Sequence, residues 1–113
     1  MRNQILAAGL ALAALTTQAA VDSGPRSVAR VEVSEAFFTV YFADAGGPND
    51  GCQQTDKVVF WRADFSGSYK EFLSVALVAA AGNKKVSMWF NGCKLGPWGA
   101  TLPKPESIVV ING

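Results

Sequence analysis

Lys84-Lys85-Val86-Ser87-Met88-Trp89-Phe90-Asn91-Gly92-Cys93 sets Val86, Met88 and Phe90 against Ser87, Trp89 and Asn91, the two-residue period of a strand with one buried face. The run ends on the second of two cysteines, and Cys52 is its only available partner. In an exported chain two cysteines close one intramolecular bridge. Cys93 is therefore read as a pin that holds the end of this strand to a loop about forty residues earlier. Two cysteines without any histidine are too few ligands for a zinc site.

Export is read from the other end of the chain. Arg2 supplies a positive start, Ile5 to Leu15 an apolar core, and Thr17-Gln18-Ala19 a small-residue cleavage site before Ala20. A retained membrane anchor is the alternative; the stretch is short for a span, and no stop-transfer pattern follows Ala20. The organisation expected is a signal peptide over 1–19 and a single domain over 20–113, located outside the cell or in the periplasm.

The chain has ten basic and nine acidic residues, and one of the basic ones, Arg2, falls in the leader. The mature protein is thus formally neutral. Lys84-Lys85 is its only basic pair, so it lacks the clustered cations that phosphate backbones and anionic lipids require. The absence of histidine removes Ser-His-Asp hydrolysis, Cys-His chemistry and the usual zinc hydrolases. Asp44, Asp50, Asp56 and Asp64 remain as loop carboxylates for catalysis, or for calcium over Asp44 to Asp56. Aspartate is also the ordinary residue of turns, and the spacing is not that of an EF-hand. No enzyme activity, cofactor or metal is expected.

Working outward from the quoted strand, residues 20–27 contain Gly24-Pro25 and read as a loose terminus. Val28 to Val33 alternates as a first strand, and Ala36 to Phe42, rich in aromatic and β-branched residues, as a second. Asp44 to Gly51 is a dense run of turn formers that delivers Cys52. Lys57 to Arg62 is a third strand. Ser68 and Glu71 have the spacing of a capping box, and the helix they open runs to Ala81 and stops at Gly82-Asn83, where glycine can adopt the left-handed cap. Tyr69, Phe72, Leu73, Ala76 and Ala80 share its core face. Val75, Val78 and Ala81 lie on an opposite face that is unusually apolar, expected either to sink between sheet and loops or to pack on copies of itself. Lys94 to Pro105 reads as a connection to a last strand, Ser107 to Ile111.

The order β-β-β-α-β-β is that of a mainly β OB-like five-stranded barrel, whose helix falls between the third and fourth strands. Tyr69, Lys70 and Phe72-Leu73 at the helix start, Ala79-Ala80-Ala81 and Gly82 at its end, then Lys84-Lys85, Val86 and Cys93, resemble the small secreted B subunits of bacterial toxins of the subtilase cytotoxin and typhoid toxin type. They are similar as well to other small exported bacterial proteins without established activity. The resemblance spans Val28 to Ile111. It implies a homo-oligomer, a ring of five with strand edges paired across neighbours and helices lining a pore, that binds a cell-surface glycan, with a catalytic partner chain.

Cholera-like B subunits hold a sugar with a tryptophan, an asparagine and a lysine placed after their cysteine-bearing strand. By that likeness Asn91, Lys94 and Trp98 are the glycan-binding candidates here, although the spacing differs and an extra Gly-Pro intervenes. An indole stacks on the apolar face of a pyranose while amide and ammonium groups meet its hydroxyls. The competing role for Trp98 is to plug one end of the barrel, and Trp61 and Trp89 are expected to pack in the core. The functional expectation is a secreted, non-catalytic binding subunit for a glycan or cell-surface receptor. Its alternative is a monomeric periplasmic structural or stress protein, or an inhibitor of a protein partner.

Overall fold

The structure, a computed structural model, describes residues 21–44 and 51–111. The expected leader and the loop segment that contains Asp50 lie outside the described residues. Six strands form one antiparallel sheet: β1 (Val21–Asp22), β2 (Arg26–Val33), β3 (Phe37–Phe42), β4 (Lys57–Trp61), β5 (Lys85–Leu95) and β6 (Thr101–Ile111), with helix α1 (Tyr69–Ala81) between β4 and β5. The sheet runs β4-β3-β2-β5-β6, and β1 continues the line of β2 along β5. β4 and β6 come alongside without a ladder between them. Pro103 and Pro105 on β6 have no N–H to offer one. The order and connections are those of the OB-like barrel expected, with one additional short strand.

The hydrophobic period accounts for the interior. Phe38, Val40 and Phe42 of β3 meet Val58 and Phe60 of β4 and Val86, Met88 and Phe90 of β5 in one buried cluster, which Tyr69, Ala76 and Ala79 close from α1. Phe38 stacks on Phe60 with centroids 4.7 Å apart, and Phe60 meets Phe72 of the helix at 5.7 Å. A 3-10 turn over Arg62–Phe65 leads into α1, and its Phe65 packs against both Phe60 and Phe72. Each such ring pair contributes about 0.5–1.5 kcal/mol beyond its burial, so the aromatic chain fixes where α1 lies on the barrel. No helix among the described residues is long and apolar enough to cross a membrane.

Several local expectations are corrected. The segment read as a loose terminus forms β1 and the start of β2: Ser23 donates its N–H to the Met88 carbonyl at 2.8 Å and accepts the Met88 N–H on its hydroxyl at 2.9 Å. The side chain thus stands in for backbone where Gly24-Pro25 breaks the strand. In β2 the register shifts between Val28 and Arg30, so Val28 and Val31 both pack on the core while Val33 is exposed. The Ser68 hydroxyl makes no cap bond. At the far end of α1, Asn83 rather than Gly82 takes the left-handed conformation, at φ 56°. Lys84 there donates to the Ala79 carbonyl at 2.9 Å, which is the Schellman closure. On the second helix face Val75 packs against the core, whereas Val78 and Ala81 are exposed together with Leu77. Finally, Thr101 to Pro105, expected as connection, belongs to β6. Its prolines sit at irregular register, Pro105 opposite Phe90 and Pro103 opposite Cys93, where a sheet tolerates them.

Candidate functional site

Because β5 and β6 are both long, they extend beyond the barrel as a hairpin whose turn is Gly96 to Ala100. Gly96 donates to Ala100 at 2.8 Å, and Gly99 turns the chain at φ 94°, a conformation suited to glycine. Gly96 is tightly enclosed: a Cβ there would lie 2.9 Å from a Leu102 methyl. The hairpin is pinned to the segment entering β4. Cys52 and Cys93 are disulfide-bonded, Gln53 and Thr101 exchange amide-to-side-chain hydrogen bonds of 2.9 and 2.8 Å, and Gln54 donates to the Thr101 carbonyl.

These ties lay the turn over the outer face of β3 and β4. Pairing puts Phe37 opposite Trp61, Thr39 opposite Val59 and Tyr41 opposite Lys57 on that face. Thr39 and Val59 are buried although they point away from the main core. The Trp98 ring meets Phe37 in the row on one side at 6.3 Å, edge-on, and Lys57 in the row on the other at 5.5 Å. It reaches both flanking rows and leaves 51% of its own surface to solvent. Trp98 therefore neither plugs the barrel nor stands free.

The rings continue on both sides. Trp61 lies 5.1 Å from Phe37, and the Lys94 ammonium sits 5.7 Å from the Trp61 centroid while pairing with Asp64 at 2.6 Å. The Lys57 ammonium lies between Trp98 and Tyr41 and pairs with Asp56 at 3.3 Å. Arg30 stacks 4.0 Å over Tyr41, whose hydroxyl donates to Glu32 at 2.9 Å. Burial raises the Tyr41 phenol above its usual pKa, and the bond to Glu32 adds to that shift. Thr39, in the row between Phe37 and Tyr41, is fully buried with no partner for its hydroxyl. Thr39→Val, which keeps the shape and removes the unpaired group, is expected to raise stability by about 1 kcal/mol in a urea melt; a lower midpoint would contradict this account of the site.

Of the residues singled out from sequence, Lys94 and Trp98 are brought onto one face, linked through Trp61 and Phe37. Asn91 is elsewhere engaged, donating to Glu106 at 3.0 Å. The core placement of Trp61 and Trp89 is corrected: Trp61 is half-buried on the outer face, and Trp89 is 49% exposed beside β1. Phe37, Tyr41, Trp61 and Lys57 were missed as site residues. The available signal was that β3 carries aromatic residues at both alternating positions, so one aromatic set had to lie outside the core. Asp44, Asp56 and Asp64 each pair with a cation, and no group of metal-ligating side chains occurs among the described residues. Compared with family models, curated proteins and solved structures, the chain returned no match.

Proposed function

We propose that this protein is an exported, non-catalytic binding subunit that recognises a glycan through the aromatic face under the β5–β6 hairpin and works as a homo-oligomer. The observation that carries the reading is the half-exposed Trp98, held over the outer face of β3 and β4. That face and the loop joining the last two strands are where OB barrels bind oligonucleotides and oligosaccharides, and the neutral charge balance argues against nucleic acid. Indoles bordered by ammonium and carboxylate groups match a sugar, which presents an apolar C–H face rimmed by hydroxyls. The leader-like start and the disulfide favour export. Leu77 and Val78, exposed on α1, supply apolar surface for an assembly to cover.

The test is a glycan array probed with the oxidised protein and with Trp98→Ala, alongside light scattering on a sizing column. The expected result is selective glycan binding that Trp98→Ala weakens by about tenfold, with a cooperative thermal melt showing the variant still folded. A silent array removes the glycan reading. A strict monomer at micromolar concentration removes the oligomer and favours an inhibitor or structural role.

A further inference from the structure

We infer that the aromatic face is a track for a linear, uncharged glycan, engaging three consecutive sugar units; the inference rests on the glycan reading above. Three solvent-reaching rings, Trp61, Trp98 and Tyr41, follow one another across the outer face of β3 and β4. Phe37 joins the first to the second, at 5.1 and 6.3 Å. The Lys57 ammonium joins the second to the third, at 5.5 and 5.8 Å. The direction is set by the strand, for Phe37 and Tyr41 stand four residues apart on β3, about 13 Å.

Each ring has a cation and a carboxylate beside it, with Lys57 shared between Trp98 and Tyr41. Trp61 has Lys94 with Asp64, Trp98 has Lys57 with Asp56, and Tyr41 has Arg30 with Glu32, the last pair 3.9 Å apart. A repeated set of platform, donor and acceptor is what successive pyranose units need, because each presents one apolar face and several hydroxyls that both donate and accept. The ammonium and guanidinium groups are already neutralised by their partners on the protein. An acidic sugar would meet no net positive field and would bring its carboxylate beside Asp64, Asp56 or Glu32. The face therefore selects sugars that offer hydroxyls without charge, and it does so along a line.

The experiment presents the oxidised wild-type protein with immobilised linear neutral glycans of one to five units and with counterparts that carry a carboxyl-bearing sugar. Affinity is expected to climb from one unit to three and then level off, and the acid-bearing counterparts are expected to bind several-fold more weakly. Trp61→Ala and Tyr41→Ala, at opposite ends of the track, are each expected to reduce trisaccharide binding by about tenfold, to the disaccharide level. The wild-type length series stands even if a variant fails to fold. Monosaccharides bound as tightly as trisaccharides, or preference for the acid-bearing series, would overturn the track and leave the glycan reading intact. Silence toward every glycan would overturn both.

Discussion

Cys93→Ala is expected to lower the stability of the oxidised domain by about 4 kcal/mol, and Cys52→Ala by the same amount within about 1 kcal/mol. The bridge spans 41 residues, and closing a loop of that length removes about 4 kcal/mol of chain entropy from the unfolded state. For a domain of this size the loss corresponds to a fall in melting temperature on the order of 20 °C. Both single variants delete the same covalent bond, so the double variant should match either one instead of adding their costs. Alanine is chosen because Cys52 is buried, and a serine there would bury an unpaired hydroxyl. Urea melts of the three variants decide the matter. Additive costs, or an unchanged midpoint in either single variant, would show that the bridge is not what stabilises the domain.

The same bond has a local consequence. It joins the base of the hairpin that carries Trp98 to the segment entering β4, and the hydrogen bonds of Gln53 and Gln54 to Thr101 lie beside it. Without the disulfide, the position of Trp98 against Phe37 and Lys57 rests on those hydrogen bonds and on the contacts of its own ring. Fold stability and the geometry of the candidate site are thus linked through one covalent tie.

How far this was legible in the sequence depends on the range of the interactions involved. The quoted strand was readable because Val86, Met88 and Phe90 all reach the core, as alternation requires. The bounds of α1 were readable because an apolar run stopped at Gly82-Asn83, although which residue would turn left-handed was not. β1 was not readable: Gly24-Pro25 is a genuine break in the backbone pattern, and Ser23, bonding through both its amide and its hydroxyl to Met88 65 residues away, carries the pairing across it. Residue types at the site were visible in Lys94 and Trp98. Their partners Phe37 and Trp61 lie on other strands, and only the register of β3 against β4 puts those two rings in one row. A single sequence carries period and punctuation; it does not carry register.

Asp44→Ala is expected to cost about 3 kcal/mol, more than Arg26→Met at the other end of the same pair, which is expected to cost about 1–2 kcal/mol. The Arg26 side chain is 5% exposed and lies 4.0 Å over the Phe42 ring. Its Nε donates to the Asp44 carboxylate at 3.2 Å, and an Nη donates to the Asp44 carbonyl at 2.9 Å and to the Thr55 carbonyl at 3.4 Å. Removing the carboxylate leaves a buried guanidinium that keeps, among the described residues, the Asp44 and Thr55 carbonyls as acceptors. Replacing the arginine removes the buried charge itself, and a methionine sulfur and methyl can take its place on Phe42. Partial burial raises the Asp44 pKa, but the Arg26 hydrogen bond and charge together with nearby backbone amides outweigh it and hold the carboxyl below its ordinary value of 3.8. A folded-state pKa below the unfolded one gives stability that is present above the unfolded value and is lost as pH falls through the folded one. The stability gap between wild type and Asp44→Ala should therefore be constant near neutrality and shrink below about pH 4. Denaturant melts of both variants across that range supply the check. If Arg26→Met proved the costlier change, or the gap held constant into strong acid, the pair would be held by packing on Phe42 rather than by charge.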